Sequence, residues 1–276
     1  MAHAIVSMAL FCDFENIALG VRDAKYAKFD IARVLERLLL KGSIVVKKAY
    51  CDWERYKEFK GPMHEAAFEL IEIPHLRISG KNSADIRLVV DALDLCYTKS
   101  HVDTFVIISG DSDFSPLVSK LRENNKTVIG VGVKSSTSDL LMANCDEFIY
   151  YDDLVRQEEK KKQRARRKPT AAKTAPDATK ERPKVEQNEE DRKQQAFDLV
   201  MDTIEALAEE RDQDEKIWGS MVKQTLKRRN PGFNESYYGF RSFGDLLEEA
   251  ERRKLLSLEA DQKSGGYIIR RLAHTD

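Results

Sequence analysis

The chain has 276 residues and nearly equal numbers of acidic and basic side chains, and its hydrophobic fraction of 42% is enough for a sizeable core. The four cysteines form no CxxC pair and the five histidines form no HxxxH spacing, which argues against structural zinc and a disulfide framework and favours a reducing cytosol. The first apolar stretch lacks a basic leader and is interrupted by Asp13 and Glu15, so we predict neither a signal peptide nor a membrane span. These features predict a cytoplasmic protein of two domains.

Charge is distributed unevenly along the chain. The net charge is −4 over residues 1–155, +6 over 156–193 and −3 over 194–276. The middle segment also loses apolar periodicity and contains three prolines, so we predict a basic disordered linker at 156–193 between a domain at 1–155 and another at 194–276. Its cluster KKKQRARRK, at 160–168, is typical of sequence-independent phosphate binding, although many such runs are only solvated.

Short apolar β-rich runs alternate with helical patterns in the first domain. Amphipathic helices are predicted at 30–41 and 84–97. The strand candidates are 4–12, 43–50, 67–73, 104–109, 127–133 and 147–151. This alternation predicts an α/β fold in three layers, with a parallel sheet between helices. If the strand order is 3-2-1-4-5, a ligand is expected beyond the carboxyl ends of the first and fourth strands.

Acidic and amide side chains follow the strands at this predicted edge. Asp13 and Asn16 come directly after the first strand, Asp85 opens the helix after the third, and Asp111 and Asp113 end the fourth. Each has a local explanation as well, because such residues form Asx turns and favour the first turn of a helix. Their arrival at one edge favours a shared site.

The type of side chain indicates which ligand this site would take. A set of carboxylate ligands that includes no His or Cys favours a hard cation, Mg²⁺ or Mn²⁺. Asp91 belongs to the same helix as Asp85 but lies about 9 Å farther along its axis, so we do not expect it to be a ligand. The stretch GVGVKSS lacks the spacing of a Walker A loop, so it does not predict nucleotide binding.

At this point the first domain resembles the NYN domain, a LabA-like branch of the PIN-like nucleases. The resemblance rests on DFENI at 13–17, ADIRLVVDA at 84–92, SGDSDF at 109–114 and VIGVGVKSSTSDLLMANCDEFIYY at 128–151. It implies a PIN-like three-layer fold and a metal-dependent ribonuclease. One departure is that Ser83 and Ala84 stand where the family pattern leads us to expect a glycine.

The resemblance also implies roles for individual residues. Asp13, Asp85 and Asp111 correspond to the ligands of Mg²⁺ or Mn²⁺, and Asn16 and Asp113 would assist catalysis. Asn16 would donate to phosphate without competing for the metal, and Asp113 would accept a proton from water. Two lysines, Lys81 and Lys134, are candidates for contacts with flanking phosphates, although each could equally be an ordinary surface residue.

The second domain is predicted to be a winged helix. Three amphipathic helices precede two strands, LLSLEA at 255–260 and GYIIRRL at 266–272. The stretch GSMVKQTLKRRNPGFNESYYGFRSFGDLLEEA at 219–250 resembles the OST-HTH or LOTUS domain, which implies binding of RNA, in some members G-rich or structured, and in others of proteins. The basic residues that would contact RNA here are Lys223, Lys227, Arg228, Arg229 and Arg241.

The leading hypothesis is therefore a metal-dependent ribonuclease that hydrolyses RNA phosphodiester bonds and recruits RNA through its LOTUS domain. One alternative is a non-catalytic RNA-binding regulator that keeps the same fold. Another is a DxD phosphatase, which is disfavoured because its motif belongs on the first strand, whereas here DSD follows the fourth strand and precedes Phe114. The sequence is also compatible with a homodimer and with a protein partner of the LOTUS domain.

Overall fold

The computed structural model describes residues 6–73, 82–166, 182–209, 216–261 and 266–271. The chain divides into two compact units, Met1–Glu159 and Lys160–Asp276. In the described part of the chain, no helix combines the length and the apolar character that crossing a membrane would require.

The first unit is built on a six-stranded sheet in the order β3-β2-β1-β4-β5-β6, and all neighbouring strands are parallel. Its strands are β1 (Ser7–Asp13), β2 (Ser43–Cys51), β3 (Glu69–Glu72), β4 (Thr104–Ile108), β5 (Thr127–Gly132) and β6 (Glu147–Tyr150). The predicted parallel α/β fold and the order 3-2-1-4-5 are confirmed, and the sixth strand extends the sheet beyond β5. The order reverses between β1 and β4, so the carboxyl ends of these two strands lie side by side.

Helices cover both faces of this sheet. They are α1 (Phe14–Asp23), α2 (Ile31–Leu39), α3 (Lys57–Glu65), α4 (Ser83–Thr98), α5 (Ser115–Glu123), α6 (Asp139–Asn144) and α7 (Tyr151–Arg166). Alternate residues of β1 supply two separate cores: Met8 and Leu10 pack with α1, α2 and α3, whereas Ala9 and Phe11 pack with α4, α5 and α6. Because a central strand is buried on both faces, its sequence is continuously apolar rather than alternating.

Both ends of the segment predicted as a linker are helical. Helix α7 continues to Arg166, and α8 (Arg182–Glu209) begins sixteen residues later. The sequence patterns did not predict these helical segments, although Lys, Arg, Glu, Gln and Ala all have high helix propensity. Pro183 is compatible with helix because it occupies the first turn of α8, where its missing N–H has no partner to lose. Residues 167–181 lie outside the described part of the chain.

The second unit combines helices with a small antiparallel sheet. After α8 come β7 (Ile217–Trp218), α9 (Gly219–Arg229), α10 (Phe243–Arg252), β8 (Leu256–Ala260) and β9 (Tyr267–Arg271). The strands pair in the order β7-β9-β8. The three predicted helices and the two terminal strands are therefore present, together with the two-residue strand β7, which is too short for a periodic pattern to reveal.

Candidate functional site

Asp13 is the last residue of β1 and lies at the edge where β1 and β4 end. Its side chain is only 6% exposed. Its Oδ1 accepts a hydrogen bond from the backbone N–H of Asn16 at 3.3 Å, which caps α1, and its Oδ2 accepts one from the hydroxyl of Ser109 at 2.9 Å. The local capping explanation is thus correct, and it accounts for only one of the two oxygens. Burial, reinforced by the nearby charge of Asp85, raises the pKa of Asp13 to about 7 against the opposing effect of these hydrogen bonds.

Ser109 links the acids of the two central strands. This fully buried residue follows β4, and its hydroxyl both donates to Asp13 and accepts the backbone N–H of Asp111 at 3.2 Å. Asp111 in turn accepts the backbone N–H of Asp113 at 3.0 Å and caps a single 3-10 turn, Ser112–Phe114. Sequence reasoning did not assign Ser109 a function; the only signal was a hydroxyl between an apolar strand and two acids.

Asn16 connects α1 to the loop that follows β4. Its Oδ1 accepts the backbone N–H of Gly110 at 2.9 Å. The sequence predicted that this side chain donates to phosphate, whereas the contact in the structure uses its acceptor end. The hydrogen bond fixes the position of the loop that carries Asp111, so Asn16 is at least a positioning residue.

Asp85 reaches the same edge from the first turn of α4. Burial raises its pKa to about 6, and the nearby charges of Asp111, Asp113 and Glu15 add to this effect. Asp85 also raises the pKa of Asp13, so acids from three separate parts of the sequence influence one another at the edge of the sheet. The convergence expected from the strand order is therefore present in the structure.

Glu15 is a further acid of this cluster that the sequence analysis did not propose as a functional residue. It lies in the first turn of α1, raises the pKa of Asp85, and pairs with Arg55 at 3.0 Å. Arg55 follows β2, the neighbour of β1 in the sheet. The carboxylate of Glu15 therefore holds the guanidinium of Arg55 near the acids.

The family of the first domain follows from its match to a known family model. The NYN domain profile matches residues 7–152, just over half of the chain. The chain belongs to the NYN domain family. NYN domains are part of the PIN-like nuclease superfamily, so a nuclease-type function with a nucleic-acid substrate is supported.

Two solved structures show weaker likeness. A crystal structure of a protein of unknown function from Vibrio parahaemolyticus is 26% identical, with a TM-score of 0.49, and covers 56% of this chain and 98% of its own. The ORC1 protein of Aeropyrum pernix in complex with DNA is 12% identical, with a TM-score of 0.21, over 96% of this chain and 83% of its own. At these scores neither structure bears on function. No protein among the curated sequences matches this chain.

The acids at the edge where β1 and β4 end, Asp13, Asp85, Asp111 and Asp113, are called the NYN site here. Their carboxylate oxygens fit a hard divalent cation. Burial, with repulsion between their negative charges, raises the pKa of two of them. Among the residues that the structure describes, no three Asp, Glu, His or Cys side chains stand close enough to hold one ion directly. Mg²⁺ commonly keeps several waters and is bound by only one or two carboxylates, so this spacing is compatible with water-bridged contacts.

Asp91 is not a member of the NYN site. Its carboxylate accepts a hydrogen bond from the hydroxyl of Tyr50 at 2.9 Å and pairs with Arg87 at 3.0 Å and Lys48 at 3.5 Å. These partners satisfy its charge within the fold. It therefore provides a matched acid for comparison with Asp85 on the same helix.

Of the two lysines predicted to contact phosphate in the NYN domain, the structure describes only Lys134. Lys134 lies two residues after the end of β5. Its backbone N–H donates to Asp152 at 2.8 Å and its ammonium lies 5.9 Å from the ring centre of Tyr150. It is exposed, as a phosphate contact requires. Lys81 lies outside the described residues.

Two of the basic residues predicted to bind RNA in the second unit have partners inside it. The ammonium of Lys223 lies 2.9 Å from Glu235, and although burial alone would raise the pKa of Glu235, the nearby lysines lower it overall. Arg229 donates to the backbone carbonyl of Asp202 at 3.3 Å. Arg228 and Arg241 are exposed, and Lys227 lies beside Arg228 in the last turn of α9.

Gly110 allows a close approach of two loops at the NYN site. A Cβ atom at this position would lie 2.5 Å from the backbone oxygen of Ser136, and the carbonyl of Gly110 accepts the backbone N–H of Ser138 at 2.9 Å. We expect Gly110→Ala to separate the loops, to lower stability by about 1–3 kcal/mol and to reduce kcat/KM by roughly 100-fold, because a shift of about 1 Å at a site costs that much. Thermal melts measure the first effect and nuclease assays the second.

Gly244 provides the control for this substitution. A Cβ there would meet its nearest heavy atom at 3.6 Å, an ordinary contact, and the residue lies in the first turn of α10. We expect Gly244→Ala to leave activity unchanged and to stabilise the chain slightly, by at most about 1 kcal/mol. If both alanine variants retained full activity, the close packing of the loop on Gly110 would have no role in the site.

Proposed function

We propose that the protein is a ribonuclease that depends on a divalent metal and hydrolyses RNA phosphodiester bonds at its NYN domain. The observation that carries this proposal is the convergence of Asp13, Asp85 and Asp111 at the switch point of a parallel sheet, where burial and mutual repulsion raise the pKa of two of them. A cation between such carboxylates would relieve their repulsion, and phosphate oxygens would complete its coordination.

The three aspartates would hold Mg²⁺ or Mn²⁺ directly or through waters. When bound, such an ion supplies positive charge to the scissile phosphate and increases the acidity of an attacking water. The residues of the chain do the positioning: Ser109 orients Asp13 relative to Asp111, and Asn16 holds the loop through Gly110.

Asp113 is the acid best placed to take the proton of the attacking water. Its side chain is exposed, whereas Asp13 is buried and Asp111 caps the 3-10 turn. A general base has to reach its proton directly or through one water, and an exposed carboxylate at the edge of the site can do so. Lys134 and Lys81 would contact phosphates on either side of the cleaved bond.

The second unit would recruit RNA as a winged helix of the LOTUS type. Its element content supports this role, since α8, α9 and α10 precede the strand pair β8 and β9. We propose Lys227, Arg228, Arg229 and Arg241 as its phosphate contacts. Lys223 would join them only by leaving Glu235. G-rich or structured RNA is the ligand that the LOTUS resemblance favours, and a protein partner of this unit is compatible with the same surface.

The buried cysteines support a cytoplasmic location. Cys12, Cys51, Cys96 and Cys145 are all unpaired and buried, which is the usual state of cysteine in a reducing compartment.

A second candidate function is RNA binding without cleavage. It is favoured by one observation, namely that no three acidic, His or Cys side chains in the described ranges are close enough to hold an ion directly. Such a protein would keep the NYN fold and bind RNA through its basic residues alone.

One assay separates the two functions. Labelled RNA and DNA of the same sequence are incubated with the full chain in Mg²⁺, in Mn²⁺ and in excess chelator. We expect cleavage of RNA with either metal and none with chelator. RNA that is retained in a binding assay but stays intact under all three conditions would establish the non-catalytic function instead.

A further inference from the structure

Helix α4 carries an apolar stripe on its solvent-facing side. Ile86, Val90 and Tyr97 are 63%, 55% and 65% exposed, and the partly exposed Leu93 completes the stripe. Their spacing of four, three and four residues places all of them on one helix face. The opposite face of α4, which includes the fully buried Leu88, already packs on the sheet. Leu93 also packs partly on that core, whereas Ile86, Val90 and Tyr97 are largely exposed. An exposed apolar face of this kind, called the α4 stripe, marks an interaction surface.

The α4 stripe is complementary to itself under two-fold symmetry. When two copies of α4 run antiparallel about the midpoint of the stripe, Ile86 of one copy lies opposite Tyr97 of the other, and Val90 lies opposite Leu93. Each contact then occurs twice, as in the isologous interfaces of cyclic dimers. The 4-3-4 spacing is also the spacing with which antiparallel helices pack side by side.

Charged residues beside the stripe favour the same arrangement. At about 100° per residue, Arg87 and Asp94 lie on the same flank of α4, and this flank meets its own copy in the antiparallel pair. Arg87 of one copy and Asp94 of the other are then offset by only about 3 Å along the helix axis, so opposite charges face each other. In a parallel pair this flank of each helix lies on the opposite side of the interface from its own copy, so Arg87 and Asp94 do not meet.

We propose that two copies of the protein associate through the α4 stripes of their NYN domains, in antiparallel orientation. A helix of this length is about 24 Å long, and two such faces bury less than the roughly 800 Å² per partner of a typical stable interface. The dimer is therefore weak and depends on concentration. It goes beyond the proposed function, because the acids of the site take no part in it.

The oligomeric state of the full chain tests this interface. Sedimentation velocity over a wide range of concentrations should show a monomer–dimer equilibrium for the natural chain. Val90→Lys, which places a charge in the middle of the stripe, should weaken dimerisation by at least about tenfold, equivalent to about 1.4 kcal/mol. Leu40→Lys is the matched control, because Leu40 is 79% exposed at the end of α2, and it should dimerise like the natural chain.

Charge reversal tests the orientation of the two helices. Asp94→Arg and Arg87→Glu should each weaken the dimer, and the double variant should restore it. Since Arg87 also pairs with Asp91 inside the chain, thermal melts accompany each variant to show that it folds. A natural chain that is monomeric at every concentration, or a dimer that Val90→Lys leaves intact, overturns the proposal. Failure of the double variant to restore a dimer that both single variants weaken overturns the antiparallel pairing.

Discussion

Asp13→Asn, Asp85→Asn and Asp111→Asn should each abolish metal-dependent cleavage of RNA while the chain stays folded. Asparagine keeps the size of the side chain and caps a helix as well as aspartate does, so the hydrogen bond that α1 receives at Asp13 can persist. What is lost is the negative charge that a divalent cation requires. Cleavage rates measured in Mg²⁺ and in Mn²⁺, with circular dichroism as the check on folding, give the result.

The same variants should have a distinctive effect on stability. The pKa of Asp13 is about 7 and that of Asp85 about 6 in the folded chain, against an ordinary value of 3.8. The folded state therefore binds these protons more tightly than the unfolded state, and the stability they contribute is present below about pH 4 and lost as the pH rises towards 7. When excess chelator keeps the chain free of metal at neutral pH, Asp13→Asn and Asp85→Asn should melt at or above the temperature of the natural chain. This gain in melting temperature should vanish at acid pH.

Asp91→Asn is the matched control on the same helix as Asp85. Its carboxylate accepts from Tyr50 and pairs with Arg87 and Lys48, so neutralising it should lower stability by about 1–3 kcal/mol and leave cleavage intact. The two acids of α4 should thus respond in opposite ways. If Asp85→Asn instead lowered the melting temperature of the metal-free chain as Asp91→Asn does, Asp85 would be a structural acid and the proposed site would be wrong.

The parts of the site that the sequence could predict are those encoded in local patterns. Each long apolar run became a strand, and the first strand ends at Asp13, one residue beyond its predicted end. Because all strands of a parallel sheet end at the same edge, the strand order alone was enough to bring the acids after β1 and β4 together with Asp85. No side-chain contact had to be known for this prediction.

What could not be predicted depends on contacts between distant segments. The hydroxyl of Ser109 reaches Asp13 across 96 positions of sequence, and Asn16 reaches Gly110 across 94; nothing local distinguishes this serine or this glycine from ordinary loop residues. The exposed side of α4 is a similar case. The sequence predicted an amphipathic helix there, but the sheet covers Leu88 and Ala92 and leaves Ile86 and Val90 exposed, because apolar residues lie on two faces of this helix.

The sequence also does not show which basic side chains of the second unit are paired within the fold. Lys223 and Arg228 are equivalent in the sequence, yet Lys223 is paired with Glu235 and Arg228 is exposed. A count of positive charges therefore overestimates the number of phosphate contacts that a surface offers. The same distinction applies to the basic cluster at 160–168, and the salt dependence of RNA binding measures how many of its charges contact phosphate.

Removal of the linker charges should flatten the salt dependence of RNA binding by the full chain. The NYN domain region carries a net charge of −4, so it repels phosphate outside the proposed metal site, whereas residues 156–193 carry +6. Arg156 is kept in the variant because it pairs with the buried Asp153 at 3.5 Å. The residues replaced by Gln are Lys160, Lys161, Lys162, Arg164, Arg166, Arg167, Lys168 and Lys173.

Each lost phosphate contact should reduce the slope of log affinity against log salt by about 0.7 for a single strand, so a variant that loses most of these contacts should bind RNA far more weakly at low salt. Binding is measured on a non-cleavable RNA over a range of salt concentrations. Replacing Lys57 and Lys60, whose charges are already paired with Glu54, by Gln should change the slope little and serves as the control. Equal slopes for the natural chain and the eight-residue variant would mean that the segment only connects the two units, and that the attraction for RNA resides in the basic surface of α9 and its neighbours.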